Sequence, residues 1–342
     1  MPNTPLHLVG AAAALALSAA VGPYSALVPA PDATPTPAAR AAARAAAAAF
    51  VNSHVHGIGQ RHIPHSVAHT MPVAGGAEVA PARVVVVTAR DYAFEMPDTL
   101  TAGHTELQLV NQGAELHHAA LVRLDAGKTA ADLYAALKAG GPPPAWVHDA
   151  GGPNAPAPGA RSAAVVDLAP GTYVMLCMVP SPDGTPHVMK GMSHALTVVP
   201  ERQARLASHV HGANAAPAAP LVASAPDVTM TLTDYDFVLS RPLARGRHVV
   251  RVRNGASQPH EVFVARLAPG KTAAEALAWV EKPQGPPAFQ PLGGTVGMAP
   301  GVANDIALDL APGEYALYCF YPDAKDGKPH VAHGMMKQFT VR

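Results

Sequence analysis

Leu168-Ala169-Pro170-Gly171-Thr172-Tyr173-Val174-Met175-Leu176-Cys177 is the key to the architecture, because it returns as Leu310-Ala311-Pro312-Gly313-Glu314-Tyr315-Ala316-Leu317-Tyr318-Cys319. Each copy reads as the end of one strand, an Ala-Pro-Gly turn, and an alternating strand that runs into a cysteine. The two copies stand at an offset of 142 (168 to 310). Elsewhere the match holds at an offset of 143. Asp91-Tyr92-Ala93-Phe94 matches Asp234-Tyr235-Asp236-Phe237, and His117 matches His260. Gly127-Lys128-Thr129-Ala130-Ala131 matches Gly270-Lys271-Thr272-Ala273-Ala274, and Gly191-Met192 matches Gly334-Met335. A period this long, seen twice, describes tandem domains and not a solenoid.

Outward from that segment, each copy reads mostly as strands. Thr105 to Val110 and His248 to Val252 alternate or are β-branched, and Val122-Arg123-Leu124 and Ala265-Arg266-Leu267 end a second strand. Ala163 to Leu168 and Ile306 to Leu310 lead into the turn, and Leu196 to Val199 and Phe339 to Val341 close each copy. One helix interrupts each, Thr129 to Lys138 and Thr272 to Val280, ended by Gly141-Pro142-Pro143-Pro144 and Gly285-Pro286-Pro287. Short strands bounded by turns predict an all-β chain. It consists of two tandem Greek-key β-sandwiches, each with one inserted short helix. The sandwiches are expected at 81–200 and 227–342, joined by a linker at 201–226.

The residues ahead of the first sandwich differ in kind. Leu8 to Val21 is an apolar run, and Ser18 and Ala20 suit signal cleavage, although Met1 to His7 holds no Lys or Arg. A signal peptide is expected over 1–24, which implies export to the periplasm, the medium or the cell surface. The run is too short for a membrane span of ~20 residues. Residues 25–80 are an Ala/Pro/His-rich tether, expected to be disordered, with prolines at its start and His54, His56, His62, His65 and His69 later.

Composition narrows the function. The 342 residues carry 24 basic and 24 acidic side chains, so net charge offers no case for binding nucleic acid or an anionic membrane surface. Two Cys cannot build a disulfide framework, yet they stand against 18 His and 11 Met. There is one Cys per copy, at equivalent positions. The same potential ligands recur around each: His117, Cys177, His187 and Met192, then His260, Cys319, His330 and Met335. Two imidazoles, a thiolate and a thioether form the soft mixed set that suits copper, with Met as a weak axial ligand.

Each copy resembles the cupredoxins, the blue copper proteins typified by plastocyanin and azurin. The resemblance rests on Asn111 to His117 and Asn254 to His260, which are similar to the family's Asn-rich turn before its first His. It rests also on Tyr173-Val174-Met175-Leu176-Cys177 with His187 to Met192, and Tyr315 to Cys319 with His330 to Met335. It implies one copper, cycling between Cu(I) and Cu(II), in each domain. It implies electron transfer to a redox partner through a solvent-exposed edge of His187 and His330. The balanced charge gives no strong field to steer a partner, so docking is expected on an apolar patch around His187 or His330. The chain departs from the family in two places. Nine residues separate Cys177 from His187 and ten separate Cys319 from His330, where the family has a few. His118 and Glu261 stand where it often has a loop-supporting Asn.

Multicopper oxidases and copper nitrite reductases are also built of such domains, and use a His beside the Cys. Here the neighbours are Leu176 and Met178, and Tyr318 and Phe320. The His-x-His-Gly elements His54-Val55-His56-Gly57 and His209-Val210-His211-Gly212 fall in linkers. A non-enzymatic copper protein is therefore expected. Copper sequestration or delivery is the second reading, drawing on the His-rich tether, on His118, His194 and His333, and on Met175, Met178, Met189 and Met336. Asp183 and Asp326, beside glycines, read as turn residues.

Overall fold

A computed structural model of the chain describes residues 82–140, 143–203, 218–281 and 285–342. The expected signal peptide, the whole of the tether, and His209 and His211 lie outside the described residues. The first repeat runs β1 (Arg83–Arg90), β2 (Ala93–Glu95), β3 (Thr99–Thr101), β4 (Gly103–Asn111), β5 (Ala120–Leu124), α1 (Ala130–Ala139), β6 (Val147–Gly151), β7 (Arg161–Leu168), β8 (Gly171–Leu176) and β9 (Ser193–Val199). The second runs β10 (Val228–Thr233), β11 (Asp236–Leu239), β12 (Gly246–Asn254), β13 (His260–Leu267), α2 (Ala273–Glu281), β14 (Phe289–Met298), β15 (Ala303–Leu310), β16 (Gly313–Tyr318) and β17 (Met336–Val341).

The strands are amphipathic ribbons. In β10, Val228, Met230 and Leu232 are buried while the intervening threonines are partly or fully exposed. Each repeat is a sandwich of two sheets packed on an apolar core. The helices begin where the sequence places them. Thr129 caps α1 in a reciprocal capping box with Asp132. In the second repeat Thr272 and Glu275 make the same exchange.

The sheets do not stop at the repeat boundary. One sheet has the order β11-β10-β12-β15-β7-β4-β1-β2, the other β17-β16-β13-β14-β6-β5-β8-β9-β3. Ala164 pairs with Ile306, its own equivalent at the offset of 142, and Pro153 pairs with Thr295, again its equivalent. The repeats therefore meet about an approximate two-fold axis, each offering the same strands to the other. One core cluster joins Leu107, Leu121 and Ala155 of the first repeat to Phe263, Trp279 and Phe289 of the second.

The junction strands β6 and β14 are absent from the sequence reading: Pro291, Gly293 and Gly294 interrupt β14, and β6 is a short, largely polar run ending at Gly151. The glycines are needed there. Gly152 and Gly294 hold φ of +122° and +124°, and a Cβ would fall 2.2 Å from Ala119 O or 2.0 Å from Val262 O. The linker expected at 201–226 is described in part, and its far end is tied down. Leu221 and Val222 donate their N–H groups to the buried Glu106 carboxylate at 2.6 and 3.0 Å.

Candidate metal centre

Both cysteines sit one residue beyond a core strand, Cys177 after β8 and Cys319 after β16, and both are free and fully buried. Each cysteine leads into a wide loop closed at its base by the bridge Pro180–Pro186 or Pro322–Pro329. The loop then enters a short 3-10 turn, His187–Lys190 or His330–His333, ended by Gly191 or Gly334 with positive φ. The long insertion thus leaves as a hairpin and does not loosen the segment that returns. Val188 N donates to Cys177 O at 2.7 Å, Met192 N to His187 O at 2.9 Å and Cys177 N to Met192 O at 3.2 Å. Val331, Met335 and Cys319 repeat the three bonds at 2.8, 3.0 and 3.2 Å.

The fold brings His117, Cys177 and His187 together, and likewise His260, Cys319 and His330, with one donor atom from each within 4.8 Å of the others. Nδ1 of His187 lies 3.3 Å from Cys177 Sγ, and Nδ1 of His330 lies 3.3 Å from Cys319 Sγ. His117 and His187 bring their Nδ1 atoms to 3.0 Å. Met192 and Met335 are fully buried beside these groups through the backbone bonds just given.

The outer nitrogens of the imidazoles face carboxylates. His117 Nε2 is 2.6 Å from Asp91 Oδ1, and His187 Nε2 is 2.9 Å from Glu115 Oε2. In the second repeat His260 Nε2 is 3.3 Å from Asp234 Oδ1, and His330 Nε2 is 3.6 Å from Asp323 Oδ2. A carboxylate only accepts, so the hydrogen bonds of His117, His187 and His260 keep the proton on Nε2 and turn the Nδ1 lone pairs inward, whereas Asp323 lies beyond hydrogen-bond reach of His330 and favours that proton by charge alone. In the first repeat two lone pairs then face each other at hydrogen-bond distance with no proton of their own to share. A cation between them resolves that repulsion, so the donor set fits a metal.

Burial sets the protonation. It holds His187 and His330 down at about 4 and lowers His117 and His260, against the pull of the neighbouring carboxylates. Burial pushes the Cys177 thiol up to about 12 and Cys319 well above its ordinary value. The metal-free pocket therefore holds neutral imidazoles and protonated thiols, and a bound cation would displace the thiol proton.

Two sequence expectations are corrected. His187 and His330 have no solvent-exposed edge, as both are fully buried. Tyr92 lies edge-on to His187 at 4.9 Å between ring centroids, and Tyr235 to His330 at 5.6 Å. Nor is the described surface beside His187 an apolar patch. Glu115, Asp183 and Lys190 lie on that side of the first site, with Met189 the exposed large apolar side chain. The cause is the long loop, which carries Ser181 or Asp323 back over the tyrosine. The methionines are dispersed: Met175 is core, Met189 is exposed, and Met178 and Met336 pack at core edges. His194 Nε2 lies 3.1 Å from Asp98 and His333 Nε2 3.1 Å from Asp326.

The departures at His118 and Glu261 find a structural role. Met178 N donates to His118 Nε2 at 2.7 Å, and Phe320 N to Glu261 Oε1 at 3.0 Å. Each side chain ties down the residue after its cysteine. The sequence reading missed Asp91, Tyr92, Glu115 and their counterparts as functional residues. The signal was present in the repeated Asp-Tyr-x-Phe motif, which served only to align the copies.

Among known proteins, no family model matches the chain and no curated protein matches it. Solved structures do. Auracyanin B is 24% identical over 36% of this chain and 94% of that one, with a TM-score of 0.24. Reduced auracyanin from the photosynthetic bacterium Roseiflexus castenholzii is 22% identical over 36% of this chain and 100% of that one, with a TM-score of 0.23. A copper-containing nitrite reductase from Thermus scotoductus SA-01 is 12% identical over 77% of this chain and 62% of that one, with a TM-score of 0.21. The architecture rests on the strand pairing described above and not on these likenesses.

Proposed function

We propose that each repeat binds one copper ion through His117, Cys177 and His187, or His260, Cys319 and His330. Met192 and Met335 would complete each set as weak thioether ligands, and the chain would carry single electrons. The observation that carries this reading is the convergence, twice in one chain, of two imidazole Nδ1 atoms and a cysteine sulfur inside a closed sandwich end. Copper held by this set supplies a one-electron couple between Cu(I) and Cu(II). The protein's part is to keep the donors in place in both states. Three backbone bonds lock each Cys–His–Met segment, His118 and Glu261 hold the residue after Cys, and carboxylates orient the rings. The half-buried rings of Tyr92 and Tyr235 pack against the buried His187 and His330, and would lie on the path of an electron exchanged with a metal held there.

The same closure favours a second reading, a copper-holding protein without fast redox exchange. No His adjoins either Cys, which supports a carrier or holder over an oxidase. An exported protein with a redox partner protein completes the proposal. Among the described residues no helix is long and apolar enough to cross a membrane.

Loading purified protein with Cu(II) tests this. Two copper ions per chain and an intense visible Cu–thiolate band are expected, halved by Cys177→Ser and abolished by Cys177→Ser with Cys319→Ser. A colourless protein without copper would sink the reading. Stopped-flow reduction by small electron donors then separates the two uses. Reduction complete in milliseconds supports the carrier, and reduction slower than copper loss to a chelator supports the holder.

A further inference from the structure

The two sites each set one carboxylate against the Nε2 edge of the second His, at 2.9 Å in the first and 3.6 Å in the second, and they do so with different residues. In the first repeat the carboxylate facing His187 Nε2 is Glu115, two residues before His117. Its equivalent in the second repeat is Gln258, which is neutral. There the carboxylate facing His330 is Asp323, four residues after Cys319, and its equivalent in the first repeat is Ser181. The tyrosine alone stays constant. Tyr92 OH donates to Glu115 Oε1 at 2.8 Å and receives the Ser181 hydroxyl at 3.1 Å. Tyr235 OH donates to Asp323 Oδ2, which also receives Gln258 Nε2 at 3.0 Å.

Each site thus has one acid and one neutral hydrogen-bonding partner, drawn from the same two positions but exchanged. Passing from one arrangement to the other takes two changes. A single change leaves either no carboxylate on Nε2 or two crowded against the same tyrosine, where like charges repel. That both copies have come to rest with one acid indicates that the contact, rather than either residue, is what has been kept.

We propose that Glu115 and Asp323 are positioning residues with one shared role: each sets its carboxylate against the Nε2 edge of the second histidine, Glu115 through a hydrogen bond and Asp323 through its charge at 3.6 Å, so that Nδ1 is turned to the metal and stays there in both oxidation states. The consequence for copper rests on the function proposed above. The positioning itself is a property of the metal-free chain.

The test is a transplant. Glu115→Ala removes the acid from the first site, and Glu115→Gln with Ser181→Asp rebuilds the second site's arrangement there. In metal-free, 15N-labelled full chain, long-range 15N–1H correlations should report His187 as a single Nε2–H tautomer in the wild type. A tautomer mixture is expected in E115A, and the single tautomer again in E115Q/S181D. In copper-loaded protein, E115A should release copper to a chelator at least about tenfold faster, and E115Q/S181D should return close to the wild-type rate. Thermal unfolding of each metal-free variant checks folding. If E115A does not fold, the reciprocal pair D323S and D323S/Q258E in the second repeat gives the same readings on His330. An E115A chain that keeps the tautomer and the release rate overturns the proposal, as does a transplant no better than E115A. Should the tautomer follow the cycle in a chain that takes up no copper, the copper reading fails and the positioning role stands.

Discussion

Cys177 and Cys319 are thiols that the fold protonates and a soft cation would ionise. Burial pushes Cys177 up to about 12 and Cys319 well above its ordinary value, so copper uptake releases one proton per site, measurable in weakly buffered solution. The histidines set the acid limb of stability. His187 and His330 are held at about 4 and His118 at about 3, all below the ordinary 6.5, chiefly by burial. The unfolded chain takes up these protons first. The metal-free fold therefore has their full contribution above about pH 6.5 and loses it as pH falls through about 4. A urea midpoint that does not fall across that window would contradict the neutral-pocket picture. His118 has a role of its own. His118→Ala removes the hydrogen bond from Met178 N to the imidazole and should cost about 0.5–1.5 kcal/mol in denaturant unfolding of the metal-free protein.

Among the elements, the return loop after each Cys and the junction strands matter most. The loop's length suggests an open, mobile site. Its backbone bonds make it a hairpin ending in a pinned 3-10 turn, and that hairpin is what covers His187 and His330. Gly152, just past β6, and Gly294, within β14, are points where the chain passes too close to neighbouring backbone for a Cβ. Gly294→Ala would set a methyl against Val262 O in a conformation that L side chains avoid. A loss of at least about 2 kcal/mol is expected, read as a lower thermal midpoint. An unchanged midpoint would mean that the strand can shift.

Over the full length of the described chain, continuous sheets make the two repeats one structural unit. A single calorimetric transition is expected for the metal-free chain, whereas two transitions would show that the shared strand pairs at Ala164–Ile306 and Pro153–Thr295 do not couple the repeats. The two centres are nevertheless not equal. Carboxylate contacts on the His Nε2 atoms are 2.6 and 2.9 Å in the first repeat and 3.3 and 3.6 Å in the second. Closer carboxylates make imidazole a stronger donor and favour Cu(II). Voltammetry of the loaded protein should show two waves, with the one lost in Cys177→Ser at the lower potential.

Most of the strands, the repeat, the two capped helices and the eight candidate ligands were legible in the order of residues alone. These depend on local rules: alternation, turn chemistry, capping, and residue types that recur in register. The residues that lie behind the ligands became visible only once the chain was folded. Asp91 is 26 residues from His117, and Glu115 is 72 from His187. No periodicity links residues so far apart until strands pair. The same holds for the junction of the repeats, built from the short polar β6 and the Gly- and Pro-interrupted β14, whose side chains carry no pattern. It holds also for the buried faces of His187 and His330, where packing of a distant tyrosine closes what the motif alone leaves open.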